Sequence, residues 1–277
     1  MKKTKRYHKN NIDKLMDFVP LYVNDKQEFE FLSHYQKSIK ICLENKLYQN
    51  AYIDCHILFM YVLYTYMIRI RNKDSQKFYL CIFCVNDDIK KGWINSNSPF
   101  VFSSYNERSI FNFLRLINLN EKLINKYKRI VDYRNALLHA SGKIMKNEFS
   151  EFDNHLYDLI ECLENINSKI EDETCLFIYT NFLNEYGQSN LNLKDEDEIN
   201  EYIINNLIRP NNLSYIDMKK ISQIKYKDYV GFVYKKRFKN LILFINKKYG
   251  RDLKIIRYVT AEWPVFNGYF LIMRTNN

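Results

Sequence analysis

The chain has 277 residues, 47% of them hydrophobic and 16% aromatic, with only six Gly and four Pro. That composition excludes a disordered protein and a turn-rich all-β design, and it favours helices with short connections. The net charge of +10 is unevenly placed: residues 201–277 carry 15 Lys or Arg against 5 Asp or Glu, whereas the first 200 residues carry 27 of each sign. A basic third on a balanced body points to an anionic partner, most often nucleic acid, and a solvated cationic face is the plainer reading.

No apolar run of signal-peptide length follows the basic Met1–Asn10. The most apolar stretch, Cys55–Ile68, is too short to span a bilayer and reads as a buried core helix. A cytoplasmic protein without a membrane anchor is expected, with Cys42, Cys55, Cys81, Cys84, Cys162 and Cys175 as reduced thiols.

In chain order, residues 1–28 read as a charged arm with a short helix at Ile12–Phe18. Glu28–Arg71 reads as two helices, or one broken near Leu47, with Cys55, Leu58, Phe59, Val62, Tyr66 and Ile70 at helical spacing. His56 lacks a partner at metal-ligand spacing and reads as a core or surface histidine. Phe78–Val85 is an apolar run that periodicity assigns to neither helix nor strand. Its Cys81-x-x-Cys84 has neither the second ligand pair of a zinc site nor a βαβ context, which leaves buried structural thiols. Lys90–Ser104 reads as a loop, and Asn106–Leu119 as a helix burying Ile110, Phe113, Leu114 and Ile117.

Asn120 is the expected N-cap of the next helix, which runs toward Gly142. On a helical wheel Leu123, Ile124, Tyr127, Ile130, Val131, Leu137 and Leu138 share an arc of roughly 140°, and Arg134 falls at its middle. A guanidinium in an apolar stripe needs a partner, because burying it unpaired is costly. Asn135 and His139 lie four apart on a neighbouring, more polar face. Glu148–Ile170 and 173–186 continue helically, with His155 on a flank, either supporting this site or simply on the surface. A linker at Gly187–Asn192 places the domain boundary there. Beyond it, acidic residues at Asp195 and a cap at Ser214 open two helices. Tyr234–Tyr249 then mixes Lys235, Lys236, Arg237 and Lys239 with aromatic rings that suit base stacking or a core face. Asn267-Gly268 between apolar runs signals a hairpin.

Arg134-Asn135, three apolar residues and His139 together resemble the Arg-x4-His signature of HEPN domains. The resemblance covers roughly residues 31–187. It implies a mainly α protein: a HEPN-like helical bundle over 29–187, followed by a smaller basic C-terminal α(+β) module over 188–277. It also implies a cofactor-free, metal-independent endoribonuclease acting as a toxin or anti-phage defence effector. A homodimer through the motif helix is expected, with RNA as substrate and an antitoxin or sensor protein as further partner. Some toxin members carry a Tyr two residues after the His, where an antitoxin can modify it; Ser141 stands there instead.

Cleavage without a metal uses the 2′-OH of RNA as nucleophile. His139 is of the type that moves protons near neutrality, Arg134 can hold phosphate oxygens through paired donors, and Asn135 can orient either. Ser141, Lys235, Lys236, Arg237 and Lys239 are further RNA-contact candidates. The competing expectation is a non-catalytic helical module that binds nucleic acid or protein.

Overall fold

A computed structural model of the chain describes residues 11–23, 25–83, 85–139, 141–145, 148–189, 191, 193, 195–224 and 235–250, without the side chains of 171–173, 235–237 and 239. The hairpin signal at Val265–Phe270 and Cys84 lie outside the described residues. Regular structure among the described residues is helical, apart from one isolated antiparallel bridge between Pro20 and Ser214. The chain divides into two compact units: the residues up to Met16 with Glu30–Ile170, and Asp17–Phe29 with the residues from Glu171 onward.

The first unit is built around α2 (Tyr48–Lys73), which follows α1 (Lys26–Glu44) after a break at the left-handed Lys46. Every residue from Leu58 to Arg71 is buried. A helix apolar on all sides must be wrapped by others, and burying a Leu, Phe, Val or Met here contributes about 1.5–3 kcal/mol each. The helix spans 26 residues and is long and apolar enough to cross a bilayer, but 83% of its most apolar window is buried inside the protein. The apolar segment is therefore longer than the sequence suggested, and it is used as a core.

Phe78 belongs to α3 (Ser75–Cys81), capped by Asp74, and is buried; Cys81 is exposed rather than a buried thiol. The expected loop at Lys90–Ser104 is instead mostly ordered as α4 (Asp87–Asn95) and a 3-10 turn at Pro99–Ser104. Asn86 caps α4 at its N-terminus, and the buried Trp93 anchors it. Arg71 closes the other end: its Nη1 donates to the carbonyls of Trp93 (2.7 Å) and Ser96 (2.6 Å), and its Nη2 to Asn97 Oδ1 (3.2 Å). A guanidinium from the core helix thus satisfies carbonyls that a short helix leaves open.

The expected helix at Asn106–Leu119 is one α-turn, α5 (Glu107–Ile110), followed by a 3-10 segment, Phe111–Ile117. The tighter winding buries Ile110, Phe111, Phe113 and Leu114 and leaves Ile117 partly exposed. Asn120 caps α6 (Glu121–Leu138) by accepting from the Leu123 N–H at 2.9 Å. α7 (Phe149–Gln188) then runs without interruption for 40 residues, with Phe152, Leu156, Leu159, Leu163 and Ile166 fully buried. The division between units falls within it, after Ile170, whereas the linker signal lies at its C-terminal end.

The second unit packs the far half of α7 with α8 (Glu196–Ile203), the π-turn Ile204–Ile208, α9 (Tyr215–Gln223) and α10 (Lys235–Tyr249). Phe182, Ile203, Leu207, Met218, Phe238 and Ile245 fill its core. Ser214 and Asp217 form a reciprocal capping box at the start of α9. Phe18 to Val23, within the expected charged arm, are buried instead, and the Leu21 N–H donates to the Leu213 carbonyl at 2.9 Å. Their apolar run explains it.

Candidate functional site

Ile124, Tyr127, Ile130, Val131 and Leu137 bury the expected face of α6, while Leu138 at its end is 49% exposed. Arg134 lies within that face, and its partner comes from the same chain. Its Nη2 forms an ion pair with Glu107 Oε2 in the first turn of α5. The side chains are 17% and 31% exposed, so the pair is partly covered. His56, on α2 and 1% exposed, donates from Nε2 to the same Glu107 oxygen at 3.4 Å. That bond assigns the tautomer and leaves His56 Nδ1 a buried acceptor without a partner among the described residues.

Three elements therefore converge on one carboxylate. Burial pushes the His56 imidazole below its usual pKa, so the ring is neutral near neutrality. Burial alone would raise the Glu107 carboxyl. The hydrogen bond from His56 and the Arg134 charge outweigh it and hold the group ionised below its usual range.

His139 is placed differently. It is the C-cap of α6, with extended backbone (φ −90°, ψ 160°), and its N–H donates to the Asn135 carbonyl at 3.0 Å. The residue is exposed. Arg134 and His139 thus lie in different surroundings, and among the described residues no hydrogen bond joins their side chains. Asn135 lies between them, half-buried. Ser141 is used by the turn itself: its Oγ donates to the Ala136 carbonyl at 2.5 Å and accepts from the Lys143 N–H at 3.2 Å. Gly142 is not the first residue past the helix. It lies beyond that position with φ +76°, the left-handed conformation that glycine adopts without strain.

Beside the motif lies a second polar group that spacing did not reveal. His155, on α7, stacks on Tyr133 with ring centroids 3.7 Å apart and planes 25° from parallel. Lys143 Nζ lies 4.1 Å from the centre of the same Tyr133 ring, and the Tyr133 hydroxyl donates to Glu151 Oε1 at 3.1 Å. Tyr52 touches both groups, with centroids 5.7 Å from His155 and 6.4 Å from His56. Glu107 was also missed. It opens a short turn 27 positions upstream of Arg134, and no local periodicity links the two. An arginine unpaired on an apolar stripe was the signal that such a carboxylate had to exist.

Lys235, Lys236, Arg237 and Lys239 fall at the start of α10, but their side chains lie outside the described residues. Among the described residues no three His, Cys, Asp or Glu gather in a metal-ligand set. No family model matches the chain, and no curated protein and no solved structure is significantly similar to it.

Proposed function

We propose that this chain is a metal-independent endoribonuclease of the HEPN type. In this reading Arg134 offsets charge on the phosphate, His139 handles a proton, and Asn135 orients one of them. The observation that carries it is the state of the motif: Glu107 pairs with Arg134, whose side chain keeps 17% exposure, while His139 is exposed at the C-terminal end of the same helix. A cation held in advance costs no reorganisation when charge develops on a phosphate. The homodimer, the antitoxin or sensor, and the toxin or defence role come from the family resemblance, and cytoplasmic location from the sequence expectation.

The same ion pair also favours a second reading, a non-catalytic helical module that binds nucleic acid or protein through its basic C-terminal third. Glu107 gives Arg134 a structural reason to exist, and the imidazole at 139 does not meet the guanidinium within the chain.

RNA cleavage by the purified protein in excess EDTA separates the two. Cleavage that leaves 2′,3′-cyclic phosphate ends and disappears in His139→Ala supports the nuclease. Folded protein that leaves RNA intact overturns it, and the module reading then expects cellular activity to survive Arg134→Ala and to vanish when Lys235, Lys236 and Arg237 lose their charge.

A further inference from the structure

Among the described residues Glu107 is the hydrogen-bonded partner of Arg134, and the guanidinium Nε is buried without one. The orientation of the Glu107 carboxylate therefore decides where the guanidinium sits. That carboxylate extends from the first residue of α5, a four-residue helix, and its side chain is 31% exposed. A glutamate with several rotatable bonds at such a place is a loose anchor, and ordering it costs side-chain entropy. We propose that His56 is a positioning residue for Arg134: it locks the carboxylate that holds the guanidinium where charge develops on the scissile phosphate. The proposal rests on the ribonuclease reading.

Three observations support it. First, His56 Nε2 and Arg134 Nη2 meet the same oxygen, Glu107 Oε2, with the imidazole at 3.4 Å. A carboxylate held from α2 and from α6 at once cannot rotate without breaking one of the two bonds.

Second, the imidazole is itself fixed. Its side chain is 1% exposed, and its ring centroid lies 5.7 Å from that of Phe59 and 6.4 Å from that of Tyr52. Its Nδ1 is buried without a partner among the described residues, which leaves the contact with Glu107 as the hydrogen bond the ring makes there. An unsatisfied buried acceptor costs stability, so an apolar ring would serve packing better. The polar ring is accounted for by its donor to Glu107.

Third, α5 reaches α6 without His56. Arg108, next to Glu107, pairs with Asp132 of α6 at 3.0 Å, and Asn106 caps the turn by accepting from the Ser109 N–H at 3.0 Å. Removing the imidazole therefore frees the carboxylate and not the turn that carries it. A guanidinium held in advance offsets phosphate charge without reorganising, so a loosened one lowers kcat and leaves ground-state binding of RNA in place. His56 moves no proton in this role.

The test measures steady-state cleavage of a defined RNA by the full chain. His56→Phe keeps a ring beside Tyr52 and Phe59 and removes the donor, whereas His56→Gln keeps a donor. The expected result is a loss in kcat of about 10- to 100-fold in His56→Phe with little change in KM, most of it recovered in His56→Gln. If His56→Phe does not fold, His56→Asn takes its place: its amide is one carbon shorter, does not reach Glu107, and should lose the same kcat. A folded His56→Phe or His56→Asn with wild-type kcat, a loss carried by KM, or a His56→Gln just as impaired overturns the proposal and leaves the nuclease standing. A wild-type chain that cuts nothing overturns both.

Discussion

Glu107 and Arg134 form an ion pair that ties the first turn of α5 to the last third of α6, with His56 closing the cluster from α2. The pair explains how a guanidinium sits in an apolar stripe, and it means that losing Arg134 affects stability as well as chemistry. Arg134→Ala strands a partly covered carboxylate. Because both partners retain some exposure, the expected cost is about 1–3 kcal/mol rather than the full penalty of a buried pair. Denaturant unfolding of Arg134→Ala, Glu107→Gln and the double variant measures it, and additive effects would show that the pair contributes nothing.

His139→Ala should behave in the opposite way. The side chain is exposed, so stability should stay within about 0.5 kcal/mol of wild type while RNA cleavage is lost. Unfolding midpoints and cleavage assays on one preparation check this. A destabilised His139→Ala would make any lost activity uninterpretable as chemistry.

Acid should destabilise the first unit in two steps. His56 has a lowered folded pKa, so the unfolded chain binds the extra proton below the usual histidine value of 6.5, and stability falls as pH drops through it. Glu107 has a lowered carboxyl pKa, so its contribution is present above the usual 4.5 and is lost as pH falls through the folded value. Urea midpoints should be level above the usual histidine value of 6.5, decline below it, and fall again as the pH drops below 4.5. His56→Gln, which keeps a donor to Glu107 but does not titrate, should flatten the upper step.

Arg71→Met removes the donor that holds the Trp93 and Ser96 carbonyls. The expected loss is about 2–4 kcal/mol, with α4 loosening first, seen as faster amide exchange at Asp87–Asn95. Arg71→Lys should not restore it, since one ammonium cannot replace both the Nη1 bonds to the Trp93 and Ser96 carbonyls and the Nη2 bond to Asn97 Oδ1.

Gly142→Ala should cost about 1 kcal/mol through the backbone alone, because its φ of +76° is unfavourable for alanine and no atom lies within 4 Å of the added Cβ. Unfolding midpoints read this directly.

The sequence by itself determined the helical class, the break before α2, the Asn120 and Ser214 caps, and the buried face of α6. Each follows from local rules, since hydrophobic period and capping chemistry act within a few residues. Only the tertiary structure decided that the stretch after Lys90 is ordered, because its stabilising donor is Arg71, more than twenty positions upstream. It alone divided Asn106–Leu119 into an α-turn and a 3-10 segment over Phe111–Ile117. It alone supplied Glu107 and His56 to Arg134, and Tyr133 and Lys143 to His155. Such partners are chosen by which helices pack together, and nothing in the spacing along the chain encodes that choice.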